Sequence, residues 1–135
     1  MAPKISNSLA GAQGTAVATA IGSNAILEVR SGAAPATADT AASGTLLCTV
    51  TVPGSWTSAT NSGVTTVTSG DPVAVDPVAS GTAGHARLKT SGGSTMLDCT
   101  VTATGGGGDI QLGSTTITTG VKLDIGPVVL TVPKG

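Results

Sequence analysis

The stretch Ala25-Ile26-Leu27-Glu28-Val29-Arg30, read beside Leu46-Leu47-Cys48-Thr49-Val50-Thr51-Val52, decides the fold class. In the first, Ala25, Leu27 and Val29 fall on one side of an extended chain while Glu28 and Arg30 fall on the other. In the second, Leu46, Cys48, Val50 and Val52 line up. A period of two with one apolar face is the pattern of a half-buried β-strand.

The same pattern recurs along the chain in short runs separated by turn residues. Residues 85–90 and 95–103 flank Ser91-Gly92-Gly93-Ser94, a hairpin signal, and Leu97, Cys99, Val101 and Ala103 share one face of the second arm. Residues 63–68 form a weaker strand. Asp71-Pro72 and Asp76-Pro77 bracket a connection that holds no central strand, because proline lacks a ladder donor. After the glycine run at 105–108, read as a flexible link, come residues 109–112, 115–119, 121–125 and 128–132, with Gly120 and Gly126-Pro127 as breaks. These runs predict an all-β, single-domain antiparallel β-sandwich or jelly-roll-like fold of about eight short strands over residues 23–135.

Residues 1–22 differ. Ile5, Leu9, Ala12, Ala16, Val17, Ala20 and Ile21 recur at helical spacing, with Ser6 or Asn7 available as a cap and Gly22 as a stop. Gly11 and Gly14 each cost about 1 kcal/mol relative to alanine in a helix interior. The segment therefore reads as a short helix or an extended arm.

Composition sets the limits on function. The chain has 135 residues with 20 glycines and 7 prolines scattered along it, 39% hydrophobic content and only 10% charged residues. That combination folds rather than staying disordered. There is no Phe, no Tyr and one Trp, so the core is expected to be thin and stability to lean on neighbouring subunits. A formal charge of −1 and the lack of aromatic platforms argue against direct nucleic-acid binding. No run approaches the ~20 apolar residues of a membrane span, and the first residues do not read as a secretory signal.

The chemistry-bearing residues do not converge on a motif. His85 is the only histidine, which rules out a multi-histidine metal site, and no Gly-x-Ser-x-Gly elbow accompanies it. The acids Glu28, Asp39, Asp71, Asp76, Asp98, Asp109 and Asp124 are spread singly. Gly105-Gly106-Gly107-Gly108-Asp109 lacks the Gly-Lys-Ser/Thr of a phosphate loop and the frame of a calcium-binding glycine repeat. Neither a catalytic set, a cofactor site nor a metal site is expected. Cys48 and Cys99 sit among apolar residues of their strands, as two buried thiols or as a disulfide. Glu28, Arg30, Arg87, Lys89, Asp98, Lys122 and Asp124 fall opposite the apolar faces, either as a solvated sheet face or as a lateral contact surface. Trp56, in a turn-like stretch, either anchors an interface or folds back over the core.

A resemblance then enters. Residues 25–37, Gly44-Thr45-Leu46-Leu47-Cys48-Thr49, Ser91-Gly92-Gly93 and the run from Val101 through the glycines to Asp109-Ile110-Gln111-Leu112 resemble the small β-rich structural proteins encoded by many tailed bacteriophages and prophages. Members carry aromatic residues where this chain has His85-Ala86-Arg87-Leu88. The resemblance implies a non-enzymatic virion component without cofactors. It suits a capsid decoration or cement protein, a homotrimer on the capsid exterior, with the major capsid protein and copies of itself as partners. A tail tube, tip or baseplate component is the alternative, and an adhesive glycan-binding module a third. The candidate interface residues are Ile5, Leu9, Trp56, Arg87 and Lys89, with residues 2–21 expected to reach a neighbour.

Overall fold

The computed structural model describes residues 4–53, 56–70, 72–125 and 128–132. A helix, α1 (Asn7–Ile21), precedes nine described strands: β1 (Ala25–Ser31), β2 (Leu46–Val52), β3 (Thr57–Asn61), β4 (Val64–Thr68), β5 (Gly81–Lys89), β6 (Thr95–Ala103), β7 (Ile110–Leu112), β8 (Thr116–Ile117) and β9 (Val129–Val132). The chain is thus mostly β with one N-terminal helix.

The strands form two sheets. The larger runs β2-β1-β5-β6-β7, with β8 also on β5; the smaller runs β3-β4-β9. Six and three strands is a different partition from the four and four of a jelly roll. In the large sheet, Leu27 stands opposite Val50 and Leu88, and Val29 opposite Cys48 and Ala86. These residues are all buried, together with Ala25, Val52, Cys99 and Val101. Ile21, Ile117, Ile125 and Val128 join the same core, and Val17, Trp56 and Leu130 pack against it from partly exposed positions. With full burial of a Val or Leu side chain worth about 1.5–3 kcal/mol, this layer carries the stability that aromatic residues supply elsewhere.

The helix caps follow the sequence. Ser6 Oγ accepts from the Leu9 N–H at 3.1 Å, and Gly22, at φ +72°, ends the helix with its N–H on the Ala18 carbonyl. The helix packs on β3 and β4 of the small sheet, burying Ala10 and Gly14. Gly14 is required by that approach, since a Cβ there would collide with the γ-methyl of the buried Thr65 and crowd Val67. Thr65 cannot easily yield, because its hydroxyl is hydrogen-bonded to that of Thr60 at 2.8 Å. The N-terminal segment docks on its own chain: the Gly63 N–H donates to Asn7 Oδ1 at 2.7 Å, and Ile5 lies against the same β3–β4 turn.

Four departures from the sequence reading have physical causes. The stretch that follows the turn-like sequence at Trp56 forms β3 (Thr57–Asn61) by pairing with β4, although its side chains are mostly exposed and show no alternation. Residues 121–125 make one bridge, Leu123 to Val75, and no strand; two residues further, Pro77 has no N–H to continue the ladder. β5 starts at Gly81, four residues early, where Gly84 passes so close to Gly32 that no side chain fits between them.

The fourth is the parallel pairing of β7 with β6 inside an otherwise antiparallel set. Parallel neighbours normally need a long crossover. Here β7 pairs only with Val101–Ala103, so the chain has to retreat only about 7 Å, and six residues suffice. The glycine run that makes this return is well anchored: Gly105 donates to Gln111 Oε1, Gly106 to the Ala103 carbonyl and Gly108 to Thr102 Oγ1. It is a tight connection where a flexible link was expected.

Substituting Gly14→Ala tests the helix–sheet contact. Helix propensity alone favours alanine by about 1 kcal/mol, yet overpacking against Thr65 is expected to lower stability by about 1–3 kcal/mol in denaturant unfolding. A stabilised variant would show that the helix does not sit this close.

Candidate functional site

The densest polar cluster lies on the face of the large sheet opposite the core. The register Glu28–Arg87–Asp98 places one acid on each side of a central arginine across β1, β5 and β6. Arg87 Nε and Nη2 donate to the two Asp98 carboxylate oxygens at 2.8 and 3.0 Å, a bidentate pair. Glu28 bridges Arg30 and Lys89, each at 3.2 Å. The hydrogen bonds that Arg87 donates to Asp98 raise its pKa above the ordinary value, with burial opposing the shift. Lying flat across the strands, the Arg87 side chain is only 4% exposed.

Chemically, this cluster is a closed network. Every carboxylate in it faces a cation, and both guanidinium groups are engaged, so it provides no general base and no open anion site. His85, at the end of the row, is buried, with Nδ1 3.0 Å from the Gly32 carbonyl. Its strand neighbours are Arg30 and Thr100, and the Thr100 hydroxyl donates to Asp109. Nε2 is buried without a hydrogen-bond partner among the described residues. The ring acts as a strut, holding the chain that leaves β1 against β5. No group of three or more His, Cys, Asp or Glu side chains that could hold a metal occurs among the described residues.

Of the candidate interface residues, the structure brings together only Arg87 and Lys89, which sit two residues apart on one face of β5 and are both ion-paired. Leu9 points outward, 49% exposed, while Ile5 is half-buried against the β3–β4 turn. Trp56 is far from either in sequence role: its Nε1–H donates to the Gly22 carbonyl at 3.1 Å, which holds the ring over the end of α1 and against the core. Sequence reasoning gave no sign that Trp56 and Gly22 meet, because 34 residues and a strand pair separate them.

Cys48 and Cys99 are both buried, and neither is in a disulfide. They stand in one cross-strand row, Cys48–Val29–Ala86–Cys99, on the core face. Three inter-strand steps put them about 14 Å apart, about twice the longest Cα separation a disulfide spans. The pairing alternative is thereby removed for a single chain. Burial pushes the Cys48 thiol pKa up, which further lowers its reactivity.

No helix among the described residues is long and apolar enough to cross a membrane. Compared with known proteins, the chain matches no family model, no curated protein and no solved structure.

Two measurements follow from this geometry. Asp98→Ala leaves Arg87 without its bidentate partner on an occluded but solvent-side face, and is expected to cost about 1–3 kcal/mol. The double variant Arg87→Met/Asp98→Leu should recover most of that loss; equal losses in both would mean the pair is not coupled. The thiols should resist a water-soluble thiol reagent until denaturant is added and then react as two. An intramolecular disulfide in non-reducing mass spectrometry would contradict the strand register.

Proposed function

We propose that this chain is a non-enzymatic structural subunit of a tailed-bacteriophage virion, acting as a capsid decoration or cement protein. In this reading it sits as a homotrimer on the outside of the major-capsid lattice and bridges neighbouring capsomers. The observation that carries the reading is how the side chains are distributed. Charged groups are absorbed in pairs on the large sheet, whereas Val73, Val78 and Val121 stand in solvent at 80%, 66% and 63% exposure. All three lie within three residues of the Val75–Leu123 bridge that ties the β4–β5 connection to the chain after β8. Apolar side chains gathered near one point of a surface suit contact with another protein more than they suit catalysis. The resemblance to small phage structural proteins supplies the setting.

Purified particles of the phage that encodes the chain provide the test. Quantitative gel analysis is expected to give a copy number comparable to that of the major capsid protein, and Val78→Asp is expected to reduce occupancy without changing the circular dichroism of the free protein. Only a few copies per particle would overturn the capsid reading and favour a tail tube, tip or baseplate component.

A further inference from the structure

The core does not use all of Trp56. Part of the ring borders an open cleft of about 320 Å³, walled by Thr15 and Thr19 of α1, Ser23 in the turn after it, and Thr57 and Ser58 at the start of β3. The indole N–H is already committed to the Gly22 carbonyl, so the ring is held in one orientation before any ligand arrives.

No charged side chain among the described residues lines the cleft. It lies beside the C-terminal end of α1, where the negative pole of the helix dipole sits, and the last turn contains no basic residue. The last four carbonyls of a helix lack intrahelical donors. Ala18 receives the Gly22 N–H, and among the described residues no backbone donor reaches the carbonyl of Thr19, which lines the cleft. The hydroxyls of Thr15 and Thr19, one turn apart on the same side of the helix, add two further acceptors.

A fixed indole ring, the open Thr19 carbonyl at the negative end of the helix and hydroxyl acceptors are the complement of a planar organic cation. We infer that the Trp56 cleft receives an arginine side chain from a neighbouring protein. The guanidinium stacks on the indole, and its N–H groups donate to the Thr19 carbonyl and the threonine hydroxyls. The donor is a different protein rather than a second copy, because four of the five described lysines and arginines, Arg30, Arg87, Lys89 and Lys122, are already in ion pairs. This contact deepens the structural role proposed above by naming the chemistry of one docking point.

The test uses the tryptophan itself, since with one Trp and no Tyr all long-wavelength emission comes from this ring. The full chain is titrated at low ionic strength with N-ethylguanidinium and with its neutral isostere N-ethylurea, at concentrations that leave the far-UV circular dichroism unchanged. The expected result is a saturable fluorescence change with the guanidinium, weakened by salt, and about tenfold weaker or absent with the urea. Thr19→Lys, on the exposed side of α1, places an ammonium group in the last turn and is expected to weaken N-ethylguanidinium binding about tenfold while the helix signal persists. Equal responses to the two probes, no response, or undiminished binding in Thr19→Lys would overturn the inference. So would a saturable response to methyl glucoside in place of the cation, which would make the cleft a sugar site. Salt-sensitive self-association abolished by Thr19→Lys would overturn the assignment of the donor to a different protein. None of these outcomes bears on particle copy number, so the cleft and the virion role fail separately.

Discussion

The register of β1 against β5 is the constraint on which the rest of this structure depends. Leu27 opposite Leu88 and Val29 opposite Ala86 place apolar side chains on one face, and the intervening pair, Glu28 opposite Arg87, places charge on the other. A slip of one residue would turn every side chain of one strand over, sending Arg87 into a layer with no charged partner and Leu88 into solvent. Such a slip leaves an uncompensated buried charge, which costs several kcal/mol. The neighbouring strands inherit the same decision. Cys48 on β2 and Cys99 on β6 extend the apolar row, while Asp98 on β6 completes the charged one.

A core without Phe or Tyr cannot fill wide gaps, so the layers have to come close together. The helix approaches the small sheet through Ala10 and Gly14, and the backbone of β5 passes the chain leaving β1 at Gly84 and Gly32. Close approach exposes little room for polar groups to find water, and the structure meets this locally. The Thr65 hydroxyl, fully buried, pairs with Thr60; Ser69 Oγ accepts from the Val128 N–H at 2.8 Å and donates to the Gly70 carbonyl. Threonine and serine thus serve as packing residues that carry their own hydrogen-bond partners, which fits their abundance in a chain short of large apolar side chains.

Much of this was legible in the sequence, for identifiable reasons. The alternation of β1, β2 and β6 and the turn at 91–94 are local, and β6 occupies the stretch from Thr95 to Ala103 that its alternation and the turn before it indicate. Ser6 and Gly22 act as the helix boundaries because capping depends on adjacent residues alone. What escaped was set by partners distant in sequence. β3 has no apolar alternation and exists because β4 offers it a ladder; the parallel β7 follows from how little of β6 it covers; and Gly14, a local cost in the helix, is explained only by Thr65 across the interface. The candidate interface residues divide in the same way. Arg87 and Lys89 were placed on the right face by parity, but their engagement with Asp98 and Glu28 depends on β1 and β6, and the meeting of Trp56 with Gly22 left no periodic trace.

That division bears on how such a surface can recognise anything. With both arginines tied to carboxylates on the large sheet, and Arg87 occluded there as well, neither guanidinium is left to recruit a partner. Uncompensated backbone polarity remains at the end of α1, where the Thr19 carbonyl has no backbone donor among the described residues and Thr19 shares a cleft with Trp56. Backbone dipoles have fixed direction and lose no rotamer freedom on binding, so a site built from them is pre-organised in a way that a lysine or glutamate on a flexible stem is not. A small protein with a thin core gains from that arrangement: the helix that covers the small sheet also supplies the field at the cleft, and Gly22, which ends the helix, fixes the ring beside it.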